Sequence, residues 1–212
     1  MHKLPCAALA AVFTVHAPAV AMSQTAEPAA AAPAPRPMSD FLVNRPHVPN
    51  WTIWGLPNGP ELRNDPGVTG GQALRVVVPG QVDPWAIGGV MPANAEIRTG
   101  DVVLLAVWLR AVPAEGAGEA SARISLLKLE QKDVPDGTIA GASDVEVGAR
   151  WQMVYASGVA TKDYAADQTV IAVLLAARPQ TIDVGPALLF NLGPGFDTAR
   201  LPRNLPRSSA AP

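Results

Sequence analysis

Trp108 and Arg110 stand two residues apart in the run Val102–Val112, VVLLAVWLRAV. On an extended chain, residues two apart share a face, roughly 7 Å from one another. An indole offers a flat apolar surface to the axial C–H groups of a pyranose ring, and a guanidinium donates several directed hydrogen bonds to hydroxyls. The pair therefore suits a concave outer sheet face that receives a neutral polar ligand. The competing reading packs Trp108 under a covering loop and pairs Arg110 with a carboxylate. Trp85, just after Pro84, sits at a loop-to-strand junction where a binding role and a core role are both open. Gln180 shares strand parity with Ile182 and Val184, so it either caps the core or projects its amide into the cleft. Trp54 could wall the cleft, although a Trp in an N-terminal strand more often packs. Trp151 and Tyr155 share a face with Met153, apolar company that reads as core.

Other chemistries are poorly supplied. His2, His16 and Cys6 all fall in the first 21 residues, a segment expected to be removed on export. What remains is His47 alone and no thiol, which excludes Cys/His zinc, thiol catalysis and a disulfide framework. Asp144 and Glu146 are the one acidic i,i+2 pair in a plausible strand. Retaining glycosidases hold two carboxylates about 5–5.5 Å apart, but an acidic pair on a solvated strand face is the plainer explanation. No G-x-S-x-G elbow occurs and no Gly-rich phosphate loop precedes a helix. The expectation is no enzyme. Lys+Arg 16 against Asp+Glu 18 gives a net charge of −2, and past residue 21 the lysines are Lys128, Lys132 and Lys162. Without a basic stripe, nucleic-acid binding is not expected.

The elements that must position these residues follow from punctuation and period. Gly 18 and Pro 22 in 212 residues leave little room for long helices. Residues 1–21 read as a signal peptide, with His2-Lys3 as its positive start and Ala19-Val20-Ala21 before the cut. The expected location is therefore secreted or periplasmic. The longest later apolar run, Val170–Ala177, is too short to span a bilayer. Residues 22–39 form an Ala/Pro-rich linker, 40–193 a folded domain, and 194–212 a Pro/Arg-rich disordered tail. Strands are predicted at 72–78, 85–91, 102–112, 123–130, 143–147, 151–160, 169–177 and 181–192, the last bent or split at Pro186. Val103, Leu105, Val107 and Leu109 form an unbroken aliphatic face that must be core. The fold class is all-β: a jelly-roll β-sandwich of two antiparallel sheets.

Several stretches resemble carbohydrate-binding modules of families four and nine, the CenC-type, galactose-binding-like jelly roll. They are Val68-Thr69-Gly70-Gly71-Gln72-Ala73-Leu74-Arg75-Val76, Asp83-Pro84-Trp85, and Thr99-Gly100-Asp101-Val102 leading to Val107-Trp108-Leu109-Arg110-Ala111. Trp151-Gln152-Met153-Val154-Tyr155, Asp163-Tyr164-Ala165-Ala166 and Gln180-Thr181-Ile182-Asp183-Val184-Gly185, running to Asn191-Leu192-Gly193, continue it. The similarity spans residues 68–193, while 41–66 match poorly. It implies a non-catalytic domain holding an oligo- or polysaccharide in a cleft across its concave sheet. Trp85, Trp108, Arg110, Gln180 and Trp54 are the expected ligand residues. Many relatives hold a structural calcium; Asp183 lies at about the place of its late acidic ligand, with Glu61 or Asp65 as the early one. No cofactor is otherwise expected. A second reading is an envelope assembly domain that binds a protein partner by the same face, and a third is a hydrolase using Asp144 and Glu146.

Overall fold

The computed structural model describes residues 36–80, 82–113 and 120–204. The expected signal peptide, most of the linker and residues 205–212 lie outside them. Ten strands form among the described residues: β1 (Thr52–Trp54), β2 (Glu61–Asn64), β3 (Gln72–Val78), β4 (Gly88–Pro92), β5 (Asp101–Val112), β6 (Ser121–Gln131), β7 (Thr138–Gly148), β8 (Gln152–Val159), β9 (Thr169–Leu174) and β10 (Gln180–Pro194). They make one antiparallel sheet in the order β1-β4-β9-β6-β7-β8-β5-β10-β3-β2. The sheet is folded on itself into two facing layers. Among the described residues they are joined by the single rung Gly141↔Ser157, which links β7 to β8. The all-β sandwich stands, with its two layers continuous at that rung.

Period-two patterning explains the layers. In β5, Val103, Leu105, Val107 and Leu109 are all 0% exposed. They meet Ile182, Val184 and Leu189 of β10, Ile124, Leu127 and Leu129 of β6, and Ile171 and Val173 of β9 in one core. In β6, the inward set changes parity between Ile124 and Leu127; opposite that point Asp144 of β7 adopts φ 55°. The left-handed residue reorients the strand, and strict alternation in the sequence is broken there. Pro186 has the effect expected of a residue without an N–H: the β5–β10 register shifts between Val184 and Ala187. At the corner, a Cβ on Gly158 would stand 1.9 Å from the Ile139 carbonyl oxygen. Only glycine lets the two backbones approach that closely.

Two expectations about the flanks need correction. The chain from residue 194 is not a featureless tail as far as Asn204. A 3₁₀ turn at Thr198–Arg200 is capped by Asp197, and Leu201 is 8% exposed. Within the expected linker, Met38–Phe41 likewise forms a 3₁₀ turn. Phe41, Phe196 and Leu201 pack with Val102, Leu104, Phe190, Leu192 and Tyr155 in a second apolar cluster. Bulky anchors among the prolines thus cover the outer side of the Val102 end of β5, which is why its even positions begin apolar. Asn204 completes the arrangement. Its side-chain amide accepts from Tyr155 N and donates to Tyr155 O, both at 2.8 Å, supplying β8 with the rung that β7 does not.

Candidate functional site

At its other end, β5 turns Trp108 and Arg110 outward as expected. Cross-strand registry sets Arg110 opposite Asp183 of β10, Asp183 opposite Arg75 of β3, and Arg75 opposite Glu61 of β2. A row of alternating charge therefore crosses four strands. Its centre is Asp183, 1% exposed. Arg75 donates to it from Nε at 2.8 Å and Nη2 at 3.0 Å, and Arg110 donates from Nη2 at 2.5 Å. Those bonds are what make so deeply buried a carboxylate tolerable. The Asp183 hydrogen bond also raises the Arg75 pKa further above its ordinary value, against the opposing effect of partial burial.

The loop joining β2 to β3 closes over Arg110. Asp65 Oδ2 lies 2.7 Å from the same Arg110 Nη2 and accepts from Trp151 Nε1 at 3.3 Å, while its Oδ1 accepts from Gly67 N at 2.8 Å. Burial pushes the Asp65 carboxyl up. The Gly67 bond, the Arg110 charge and the bonds from Trp151 and Arg110 together outweigh it, so the carboxyl titrates below the usual aspartate range. The Arg110 guanidinium stacks 4.7 Å from the centre of the Trp151 ring. Val68, 4% exposed, is the loop's tip. Val68 and the Trp108 Cβ each lie 2.9 Å from where a Gly185 side chain would project, so the loop rests on Trp108 where glycine leaves room. Trp108 is half-buried, and its Nε1 is a buried donor with no partner among the described residues.

Both arginines keep donors. Among the described residues, no hydrogen bond engages Nε or Nη1 of Arg110, or Nη1 of Arg75. Beyond Arg75 a groove of about 330 Å³ opens, with Leu56, Pro57 and Asn58 as one wall, Arg75 and Val77 below, and Glu61 alongside. Val77 is 52% exposed.

The remaining expected ligand residues fall into two other places. Trp54 Nε1 donates to the Trp85 carbonyl at 3.1 Å, so those two tryptophans meet across β1 and the β3–β4 loop, leaving the Trp85 indole 64% exposed. Gln180 stands apart as a clasp between the layers. Its Nε2 donates to Arg123 O at 2.9 Å and Leu175 O at 2.6 Å, and its Oε1 accepts from Arg123 N. Both amide hydrogens are thereby engaged in the fold. Trp151, Met153 and Tyr155, read as core from the sequence, face outward; the inward residues of β8 are Val154 and Ala156. The signal that would have found Asp65 and Trp151 is the buried Asp183 beside two outward arginines, since so many charges on one face require mutual partners.

The early and late calcium-ligand candidates do not fit a divalent cation. Asp183 is already surrounded by two guanidiniums, Asp65 is held by a third contact to the same arginine, and Glu61 pairs with Arg63 at 2.8 Å. Calcium requires a set of oxygens not already neutralised. Asp144 and Glu146 are likewise paired, with Arg123 at 2.6 Å and Arg178 at 2.9 Å.

No protein-family model matches the chain, and no curated protein matches it. Solved structures similar to it include carbohydrate-binding modules. A family 4 module is 19% identical, with 68% of this chain and 92% of that one covered and a TM-score of 0.47. The CBM22-1 xylan-binding domain of Paenibacillus barcinonensis Xyn10C is 12% identical over 72% and 92%, at 0.47. The second N-terminal cellulose-binding domain of Cellulomonas fimi β-1,4-glucanase C is 15% identical over 66% and 84%, at 0.48.

Proposed function

We propose that this is a secreted or periplasmic, non-catalytic protein that binds an oligo- or polysaccharide on the outer face of the layer β8-β5-β10-β3-β2. The observation that carries the reading is the pair Arg75 and Arg110, fixed by one buried carboxylate while each retains unengaged N–H donors. Sugar hydroxyls exchange water hydrogen bonds for protein ones at small net gain, so donors whose orientation is already set lose least on binding. Trp108 and Trp151 flank these donors on one side and the groove floored by Val77 lies on the other, giving apolar surface for ring C–H groups. Trp85, braced by Trp54, supplies a second exposed indole.

Pull-down on insoluble polysaccharides, with calorimetry on soluble oligosaccharides, tests this. Wild type is expected to be retained, Arg75→Gln and Trp108→Ala to lose at least about tenfold in affinity while still unfolding cooperatively, and Trp85→Ala to weaken retention without loss of stability. No retention on any saccharide would refute the proposal. A protein partner bound by the same face is the second reading, favoured by the exposed apolar Val77 beside Arg75.

A further inference from the structure

We propose that the cluster of Arg110, Trp151 and Trp108 is a binding site for a ligand carboxylate, and that Asp65 occupies it from within the chain. On the saccharide reading above, from which the choice of sugar follows, the ligand is a uronic-acid-containing glycan. Asp65 uses the site poorly. It meets the Arg110 guanidinium through a single nitrogen, Nη2, that it shares with Asp183. Carboxylates prefer to take an arginine by two parallel bonds, which Nη2 makes together with either Nε or Nη1, and both of those donors are left unengaged. Trp108 Nε1, a buried donor beneath the loop, is not reached at all. An arriving carboxylate can take two guanidinium N–H groups and the Trp151 indole N–H, and a neighbouring hydroxyl can accept from Trp108.

Exchange is close to like for like. The bonds that Asp65 gives up, to Arg110 and Trp151, are replaced by bonds of the same kind to the ligand. A further carboxylate beside Asp183 and Asp65 drives Asp65 out by repulsion. The loop that carries Asp65 turns on glycines. Gly70 and Gly71 hold φ values of 84° and 69°, with open space around both, and Val68 is its buried anchor. Opening gives up the burial of that valine together with the bonds from Gly67 N to Asp65 Oδ1 and from Val68 N to Asp65 O. With Asp65 withdrawn, the carboxylates facing Arg75 and Arg110 are Asp183 and Glu61, and the place has lost one negative charge.

Asp65→Ala empties the carboxylate position while keeping the backbone bond from Asp65 N to Gly71 O; Asp65→Gly serves as the second variant. Acetate is the probe, compared with chloride at equal ionic strength. It is expected to raise the melting temperature of either variant by about 3 °C or more beyond chloride and to leave wild type unchanged. Replacing Arg110 by Gln in the Asp65→Ala background should abolish the effect. If acetate acts no differently from chloride in both variants, no carboxylate site exists. In the saccharide arm, oligogalacturonate should bind Asp65→Ala at least tenfold more tightly than wild type, and neutral oligosaccharides should not gain. Equal gain for neutral and acidic glycans overturns the carboxylate assignment and leaves saccharide binding intact. Acetate stabilisation with no saccharide bound by any form keeps the carboxylate site and refutes the saccharide reading.

Discussion

Replacing Asp183 by Asn changes no more than one oxygen, yet the structure makes it the costliest isosteric change on the outer face. In wild type, the carboxylate accepts three charge-assisted bonds, two from Arg75 and one from Arg110. An amide keeps one acceptor oxygen and turns its N–H groups toward a guanidinium. Hydrogen bonds to charged groups contribute about 1.5–3 kcal/mol each. Removing one partner of a buried pair costs roughly 3–5 kcal/mol because the other charge stays uncompensated. Here the arginine side chains are 22% and 25% exposed, so they regain water on release and the lower part of that range applies, about 3 kcal/mol. For a domain of this size that is a fall of roughly 6–12 °C in melting temperature. Urea unfolding should show a lower midpoint at unchanged slope. The loss should persist in 0.5 M salt, since a buried pair is screened far less than an exposed one. A destabilisation below about 1 kcal/mol, or one that disappears at high salt, would refute the reasoning.

Other consequences are equally open to measurement. Gly158→Ala drives a methyl into the Ile139 carbonyl and should cost about 3 kcal/mol or prevent folding, read from urea midpoints. Asp65 titrates below its ordinary value, so its contribution is complete above about pH 4 and is lost as pH falls through the lowered native value. Arg110, Arg75, Asp183 and Glu61 are the charged groups facing it. Acid unfolding followed by Trp fluorescence should therefore be shallower in Asp65→Asn than in wild type. Because two guanidiniums neutralise Asp183, EDTA should shift the melting temperature by less than about 1 °C, measured by calorimetry.

The fold was readable where alternation was unbroken and turns were marked. Gln72–Val78 coincides with β3, and the odd face of β5 is the core it was expected to be. β1 and β2 escaped detection because three- and four-residue edge strands hold too few side chains to show a period. The N-terminal part of β7 escaped because Asp144 reorients the strand within it. At the candidate site, spacing along one strand was enough to put Trp108 and Arg110 on a common face. Their partners are contributed by residues 41 or more positions away, Asp65, Trp151 and Asp183, and strand pairing alone decides such meetings. Trp151 was misjudged for a related reason: Met153 and Tyr155 form an apolar row, but it lies outside, under the segment that ends at Asn204.

The segments that carry Phe41 and Leu201 settle on one end of β5, beside Val102 and Leu104. Both leads of the folded body, at Arg36 and at Asn204, thus depart from the same half of the molecule. Arg110 stands eight positions further along that strand, about 26 Å away. Leads placed at one end in this way suit splicing between other polypeptides, or permutation by joining them.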